Sequence, residues 1–473
     1  TSTSAHSVPD VTMRLNRDGR NQNTNTLSLN TIKRNTMFPV DKTQFDKAMT
    51  DCGIIDLGGA TIRQVVSLAA RLAEIAGDDI VSLEMGNPGL SPSQIGIEAE
   101  VDALRRGVAK DYSPIGGLPE LKKAGERFLK AFENLDIPAR CIVPTVGSMQ
   151  GCFTTQLLLG QRQPGRDTML FIYPGFPAQH HQTKILGLRE VSFDIYNYRG
   201  DALEAKLDEM LSAGNITAII YSNPNNPAWI NLTAQELEII GRMADKHDVI
   251  VIEDQAYFGM DFRTDFSRPF EAPYPPTVAR YTRNCIIMLS ASKIFSYAGQ
   301  RIALVCMTPE VFDRRYPALE AFYEMETFGD AYCYGVLYAC SSGASQSAQY
   351  AMAAMLDAAS DGKLDFVDIS RDYGRRSNRA RRIFADAGFH LVYDRDGDTP
   401  ISDGFFFTAG YPGMDSVTLQ QELLRHGIST ISLPSTGSRQ DGVRVCVSML
   451  TDEKSFETLQ RHIKTFADEH PQA

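Results

Sequence analysis

Five short apolar runs between residues 168 and 307 constrain the fold of this chain more than any other feature. They are 168–173 (TMLFIY), 217–222 (TAIIYS), 249–254 (VIVIED), 285–290 (CIIMLS) and 301–307 (RIALVCM). Nearly continuous apolar runs are typical of strands that are covered on both faces. Helical patterns lie between several of them, and in the clearest, 233–247, Thr233 and Glu236 have the spacing of a capping box. This alternation predicts an α/β fold, a mostly parallel sheet with helices on both faces.

The rest of the chain has different patterns. Helical spacing is found at 61–77 and 117–133, and a further helix is expected near 346–360. A smaller α+β domain is predicted after it, from β-rich runs at 389–394, 405–411, 428–434 and 443–449 and helices at 371–386, 416–426 and 455–469. Residues 1 to about 36 are polar and basic, and two interpretations stay open: a flexible tail, or an arm that lies on a neighbouring subunit.

Composition excludes several classes of function. The 473 residues are 43% hydrophobic and 22% charged, and the net charge of −11 argues against a general nucleic-acid-binding protein. No apolar run is long enough to span a membrane, and the N-terminus has no apolar signal core, so a cytoplasmic enzyme is expected. The eight cysteines are scattered without a CxxC pair, and His180-His181 has no carboxylate or thiol nearby in sequence, so no metal site is expected.

Residues able to do chemistry follow three of the predicted strands. Asp254 ends one of them, which is where open α/β sheets bind ligands, although a turn or helix cap is the alternative. Lys293 comes soon after another strand, where its amine either is desolvated for Schiff-base chemistry or reaches solvent. In the loop 221–227 (YSNPNNP), two X-Pro steps fix the direction of the Asn226 amide.

Three further fragments complete the pattern. Phe176 lies in the rigid segment Pro174-Gly175-Phe176-Pro177, after the first of the five runs. The small-residue turn 145–151 (TVGSMQG) opens a helical pattern and can bind an anion with backbone N–H groups. Arg301, at the start of the last run, suits a phosphate.

Together these fragments resemble the fold type I pyridoxal-phosphate-dependent enzymes, and within them the class I/II aminotransferase family, over about residues 80–450. The strongest piece is Ser290-Ala291-Ser292-Lys293 followed by Gly299 and Arg301, and the order of the other fragments also agrees. The resemblance implies a large cofactor-binding domain with a mostly parallel sheet and a smaller α+β domain. The segments expected are a polar extension (1–60), the N-terminal part of the small domain (61–84), the large domain (85–345) and the C-terminal small domain (346–473).

The resemblance also implies the cofactor, pyridoxal 5'-phosphate, and a role for each residue. Lys293 would hold the cofactor aldehyde as an internal aldimine and then move a proton from the substrate Cα. Asp254 would keep the pyridine nitrogen protonated, so that the ring accepts electrons. The other implied contacts are Tyr257 and Asn226 at the ring's 3′ oxygen, Phe176 on the ring face, Gly147, Ser148, Met149, Ser290, Ser292 and Arg301 at the phosphate, and Tyr112 at the phosphate of a neighbouring subunit.

For the substrate, the resemblance implies that Arg444 clamps the α-carboxylate bidentately, near Gly86 and Asn226. Pairing of Arg444 with Asp441 is the structural alternative. The expected activity is transfer of an amino group between an α-amino acid and a 2-oxo acid, by a homodimer or higher oligomer without nucleic-acid or membrane partners. Another reaction on this fold, such as β- or γ-elimination, replacement or cyclisation, stays open.

One departure from the family pattern concerns the asparagine loop, which usually continues with Thr-Gly. Here it continues with Ala228-Trp229, and Trp229 is the only tryptophan of the chain. The indole either lines a substrate pocket or packs beneath the loop. A catalytically silent regulator on this fold is disfavoured because residues 1–60 show no helix-turn-helix pattern.

Overall fold

The structure is a computed structural model that describes residues 37–472. The predicted arm at residues 1 to about 36 lies outside the described residues. The strands are β1 (Val81–Ser82), β2 (Ile142–Val146), β3 (Thr168–Tyr173), β4 (Arg189–Asp194), β5 (Ile216–Ser222), β6 (Ile250–Asp254), β7 (Cys285–Ser290), β8 (Ile302–Met307), β9 (His390–Leu391), β10 (Arg395–Asp396), β11 (Thr399–Pro400), β12 (Phe406–Gly410), β13 (Ile428–Ser429), β14 (Ile431–Ser432) and β15 (Val443–Cys446).

The α-helical segments include several of only three or four residues. They are α1 (Lys42–Asp51), α2 (Ile62–Ala76), α3 (Gln94–Arg105), α4 (Pro119–Glu133), α5 (Gly147–Gln161), α6 (Pro177–Ile185), α7 (Ala202–Leu211), α8 (Ala234–His247), α9 (Ala291–Ile294), α10 (Pro309–Phe312), α11 (Pro317–Tyr323), α12 (Phe328–Asp330), α13 (Tyr338–Cys340), α14 (Gln346–Ser360), α15 (Phe366–Asp386), α16 (Ser416–Arg425) and α17 (Glu453–Glu469). A π-helical stretch, Ala331–Leu337, joins α12 to α13.

The central sheet has seven strands in the order β2-β8-β7-β6-β5-β3-β4. Only β8 runs antiparallel to its neighbours, β2 and β7. All five predicted strands are present, and the mostly parallel sheet is confirmed. The sequence analysis missed the two edge strands: β2 is interrupted by Pro144, and β4 is only half-buried along most of its length, so neither has a continuous apolar run.

The central strands are covered on both faces, as their sequences predict. In β3, Leu170 and Ile172 belong to one hydrophobic cluster, whereas Met169 and Phe171 belong to another. Such alternation follows from the two-residue period of a strand, in which successive side chains point to opposite faces. A carboxylate at the end of one of these strands therefore lies at the rim of the sheet between two packed layers.

A second sheet has four antiparallel strands in the order β14-β15-β12-β9. The short parallel pair β1–β13 joins the segment near residue 81 to the C-terminal region through Val81 and Ile428. Within the predicted extension 1–60, α1 is a helix whose Phe45 packs with Leu68 of α2 and Leu424 of α16. The division into domains at residues 85 and 345 stays a prediction.

Helix boundaries agree with the predictions to within a few residues. The capping box of α8 is confirmed, because the Thr233 hydroxyl accepts from the Glu236 N–H and the Glu236 side chain accepts from the Thr233 N–H. The exception is α15, which begins at Phe366 and not at 371, because Asp365 caps it by accepting from the Asp368 N–H. Within residues 37–472, the structure contains no helix with the length and apolar character of a membrane span.

Candidate active site

Lys293 lies in the short helix α9, directly after the buried strand β7. Ser290, the last residue of β7, caps this helix, because its hydroxyl accepts a hydrogen bond of 3.1 Å from the Ser292 N–H. The Lys293 amine donates to the carbonyl oxygen of Gly86 and lies 5.7 Å from the centre of the Phe405 ring. Burial lowers the pKa of Lys293 to about 8. A substantial fraction of this amine is therefore neutral, and nucleophilic, near neutral pH.

Asp254 ends β6 and is buried. Its carboxylate accepts from the Gln179 amide at 2.8 Å and from the Ala256 N–H at 3.1 Å, two neutral donors. Burial raises the pKa of Asp254 to about 6. A buried carboxylate with neutral donors only is well suited to pair with a cationic group of a bound ligand.

Arg444 projects from β15 and joins the second sheet to the central one. Its guanidinium donates to the Asn226 side-chain oxygen at 3.1 Å and to the Glu84 carbonyl, and its Cζ lies 4.8 Å from the centre of the Phe406 ring. The Arg444 side chain is fully buried, and its Nε has no hydrogen-bond partner among residues 37–472. A buried guanidinium with a free donor is available to a carboxylate ligand.

The alternative partner of Arg444 is engaged elsewhere. Asp441 accepts from the N–H and the hydroxyl of Ser416, both at 3.1 Å. The Asn226 amide, which contacts Arg444, also donates to the Tyr257 hydroxyl at 3.4 Å. Arg444, Asn226 and Tyr257 therefore form one connected polar group.

The predicted phosphate-binding residues meet because β8 runs antiparallel. Ile302, the first residue of β8, is paired with Val146 at the end of β2, and Ala303 is paired with Ser290 at the end of β7. Arg301, directly before β8, consequently lies between the loops that follow both strands. A Cβ on Gly147 would lie only 2.4 Å from the Arg301 guanidinium, so a larger residue here would displace Arg301.

The first turn of α5 contributes an unused donor beside Arg301. Gly147 has a φ of 69°, and the buried Ser148 hydroxyl has no hydrogen-bond partner in the part of the chain that the structure describes. A helix N-terminus, an unpaired hydroxyl and a guanidinium together form a site for an anion such as a phosphate. The Met149 carbonyl oxygen accepts a hydrogen bond of 2.7 Å from the Gln182 amide and so joins α5 to α6.

Helix α6 supplies both a predicted residue and one that the sequence analysis missed. Phe176 caps its start and is partly buried, and one turn later Gln179 reaches Asp254. A glutamine in a helix carries no local signal of function, and only the packing of α6 against β6 reveals its role. One sequence signal could have suggested the role of Gln179, namely its position three residues after Phe176.

Two residues behave differently from the rest. Tyr112 does not reach this group of residues, because 91% of its side chain is exposed. Trp229 is fully buried with a φ of 62°, donates from Nε1 to the Ser402 hydroxyl at 3.1 Å, and packs edge-on to Tyr257. A Cβ on Gly404 would lie 2.0 Å from the indole. The structure thus favours packing beneath the loop over lining a substrate pocket.

Together, the partly neutral lysine, the buried carboxylate without a cation and the anion site correspond to the three reactive parts of pyridoxal 5'-phosphate, which are its aldehyde, ring nitrogen and phosphate. The Ser148 hydroxyl, which has no partner within residues 37–472, and the close approach of Gly147 to Arg301 fit its phosphate. On the mostly parallel sheet, this arrangement defines the class of fold type I pyridoxal-phosphate-dependent enzymes.

Comparison with known proteins identifies the family within this class. The sequence model described as aminotransferase class I and II matches residues 78–461, more than half of the chain. The chain therefore belongs to this family, which confirms the predicted resemblance and cofactor. It is similar to an aspartate aminotransferase of Bacillus subtilis (24% identical over 52% of this chain and 61% of the relative) and to a probable kynurenine–oxoglutarate transaminase of Saccharomyces cerevisiae (25% identical over 51% and 55%). The matches thus span somewhat more than half the length of these curated relatives.

Solved structures show the same fold over a longer stretch. A Thermus thermophilus aspartate aminotransferase with maleate superposes with a TM-score of 0.66 at 20% identity, covering 86% of this chain and 96% of that one. An aminotransferase of Mycobacterium tuberculosis superposes with a TM-score of 0.70 at 18% identity, covering 86% and 96%. These similarities confirm the predicted fold type I architecture.

Proposed function

We propose that this chain is a pyridoxal-phosphate-dependent aminotransferase that moves an amino group between an α-amino acid and a 2-oxo acid. The proposal rests on three residues, Lys293, Asp254 and Arg444. Lys293 supplies a base, Asp254 a partner for a cation, and Arg444 a clamp for a carboxylate. The first two serve any reaction at Cα on this cofactor. Arg444, whose buried Nε has no hydrogen-bond partner among the described residues, favours a substrate that carries a carboxylate.

When bound, the cofactor supplies an aldehyde and a ring that accepts the electrons of the bond broken at Cα. Lys293 provides the amine for that aldehyde and afterwards accepts and returns the proton of the substrate Cα. Its pKa of about 8 suits both roles, because the amine can exist neutral or protonated near neutral pH. The Gly86 carbonyl, which accepts from the amine, holds it in place.

Asp254 stays ionised beside the cationic ring nitrogen, and the hydrogen bonds from Gln179 and Ala256 orient its oxygens. Arg444 and Asn226 would bind the substrate carboxylate, and Tyr257 would hold the cofactor through the ring's 3′ oxygen. The contacts between Arg444, Asn226 and Tyr257 couple substrate position to cofactor position. Gly147, Ser148, Met149, Ser290, Ser292 and Arg301 would hold the phosphate, and Phe176 would cover one face of the ring.

The relatives differ in their named substrates. Among them are aspartate aminotransferases, an asparagine–oxo-acid transaminase and a probable kynurenine–oxoglutarate transaminase. Because identity to them is about a quarter, the proposal covers α-amino acids as a class.

The proposal includes a homodimer in the cytoplasm. Tyr112 supports the dimer, because a tyrosine with 91% of its side chain exposed is free to enter the site of a second copy. All eight cysteines are free, and six of them are buried, which is typical of a reducing compartment.

The decisive experiment exposes the purified holoenzyme to a panel of amino acids, without an acceptor, and follows the cofactor by absorbance. Conversion to a stable pyridoxamine form, reversed by adding a 2-oxo acid, is expected. Release of ammonia or a side-chain fragment with the cofactor left in its pyridoxal form would refute transamination in favour of an elimination or replacement. Lys293→Ala is the control, since it should bind cofactor without converting it.

A further inference from the structure

Four side chains that play no part in the active site meet at the C-terminal ends of two helices. Glu422 and His426 belong to the last turn of α16 and its cap, and Glu469 and His470 to the end of α17. One ligand atom from each of Glu422, His426 and His470 lies within 4.8 Å of the others. A carboxylate oxygen of Glu469 lies 3.2 Å from His426 Nε2, and one of Glu422 lies 3.3 Å from His470 Nε2.

The short distances do not come from hydrogen bonds. The Nε2 atoms of His426 and His470 are both buried, and within the described residues neither has a hydrogen-bond partner of acceptable geometry. Two ligand atoms that share a tetrahedral zinc ion at about 2.0–2.1 Å are about 3.3 Å apart. The separations of 3.2 and 3.3 Å match this edge length, and the ligand atoms of Glu422, His426 and His470 all lie within 4.8 Å of one another, whereas Glu469 lies outside that group.

The tautomer of His426 leaves the required lone pair on Nε2. Its side chain is fully buried, and its Nδ1 lies 2.7 Å from the backbone carbonyl oxygen of Glu422. Because a carbonyl oxygen only accepts, Nδ1 carries the proton, and in the neutral imidazole the lone pair is then on Nε2. A ligating histidine usually donates its other ring N–H to a carbonyl or carboxylate in this way.

The other half of the cluster is held by the backbone at the end of α17. The His470 N–H donates to the Phe466 carbonyl at 3.1 Å, and the His470 carbonyl accepts from the Tyr411 hydroxyl. The remaining polar contact of Glu422 is with Arg425, which donates to it at 2.6 Å. Each half of the cluster therefore has a fixed backbone.

We propose that Glu422, His426 and His470 bind one divalent transition-metal ion, of which Zn²⁺ is the natural candidate, and that the half-exposed Glu469 side chain turns to supply the fourth ligand. Two imidazole nitrogens and two carboxylate oxygens are a ligand set that suits zinc and satisfies its charge. The ion ties the end of α17, close to the last described residue of the chain, to α16. Its role is structural, because all four ligands come from the protein and lie outside the active-site group.

The test is zinc binding to the full chain with its cofactor, after treatment with a chelator. Isothermal titration should give one zinc ion per chain with a dissociation constant in the micromolar range or tighter, and zinc should raise the melting temperature. His470→Ala should weaken binding at least about 100-fold and remove the increase in melting temperature. Cobalt should give the intense visible absorption of a tetrahedral site in the wild type and not in His470→Ala.

The matched control is His247→Ala, which removes a histidine–carboxylate pair of ordinary geometry, with Nε2 2.7 Å from Asp208. Its zinc affinity should equal that of the wild type. Glu422→Gln is the second variant, which decides the matter should His470→Ala fail to fold. Wild-type binding weaker than about 0.1 mM, or equal affinity in the wild type and in the folded cluster variants, would overturn the proposal.

Discussion

Replacing Asp254 with Asn should stabilise the cofactor-free protein and at the same time remove most of its turnover. The reason is that Asp254 is buried as a charge whose hydrogen-bond partners among the described residues, Gln179 and Ala256, are both neutral. The cofactor's ring nitrogen would provide a cationic partner. The Asn variant should therefore have a higher free energy of unfolding than the wild type without cofactor, and a lower kcat with it.

The size of the stability effect follows from the pKa. Raising it from 3.8 to about 6 corresponds to about 3 kcal/mol against the charged form. Asn keeps one of the two accepting oxygens, so one of the hydrogen bonds from Gln179 and Ala256 is lost, at a cost of about 1 kcal/mol. The cofactor-free Asn variant should thus be about 1–3 kcal/mol more stable than the wild type at pH 8.

The dependence on pH provides an internal check. Because the folded-state pKa is raised, the penalty is fully present above pH 6 and disappears as the pH falls through about 6 towards 3.8, where the folded and unfolded states are both protonated. The advantage of the variant measured at pH 8 should therefore vanish near pH 4. Urea unfolding of both cofactor-free proteins at these two values measures it.

Turnover should change in the opposite direction. Leaving a cationic ring nitrogen without its buried partner costs about 3–5 kcal/mol, or a loss of about a hundredfold or more in kcat. Glu253→Gln is the matched control, since Glu253 precedes Asp254 on β6 but faces the other side of the sheet, where it accepts from Tyr221 and Thr277 at 2.7 Å. It should lower stability and leave kcat of the folded enzyme nearly unchanged. An Asn variant that is less stable at pH 8, or that turns over nearly normally, would refute this reasoning.

Four further results are expected. Capture of pyridoxal 5'-phosphate by the cofactor-free protein should rise with pH and reach half its maximum near pH 8, because the neutral Lys293 amine reacts. Borohydride reduction should then fix the label on Lys293. A midpoint near pH 10.5 would contradict the lowered pKa of Lys293. Arg444→Lys, which keeps the charge but not the fork, should lower kcat/KM for amino acids at least tenfold more than for the corresponding amines, and equal losses would indicate a purely structural arginine. Trp229→Ala should lower the free energy of unfolding by about 3–5 kcal/mol in urea titrations, and a loss below about 1 kcal/mol would contradict its packing role. Tyr112→Ala should weaken cofactor affinity while sedimentation still shows a dimer; an active monomer would exclude the shared site.

The sequence predicted the central strands well because each is covered on both faces, so its identity is written in a local apolar run. The edge strands β2 and β4 lack that run, since one contains Pro144 and the other is half-exposed. The direction of β8 was equally invisible, although it is what brings Arg301 beside Gly147. The role of Arg301 was inferred from the family resemblance, whereas its position follows from strand direction.

Contacts between residues far apart in sequence were equally hard to predict. Asp254 and Lys293 could be found because they follow buried strands, where a charged side chain is unusual. Gln179 could not, because a polar residue in a helix is ordinary, and its contact with Asp254 spans 75 residues of sequence. Trp229 was noticed as unusual, but its buried contacts with Ser402 and Gly404 lie more than 170 positions away.

The proposed metal site shows where local reasoning about ligands ends. Glu422 and His426 have the four-residue spacing that places two ligands on one helix face, but a single such pair is common on solvated helices. Glu469 and His470 are adjacent near the end of the chain, with no spacing of their own. No metal site was expected because the cysteines are scattered and the adjacent histidines have no ligand nearby in sequence. Neither Glu422 with His426 nor Glu469 with His470 has a pattern of that kind. Only the packing of α16 against α17 brings the halves together, so two weak patterns become one candidate site when the fold joins them.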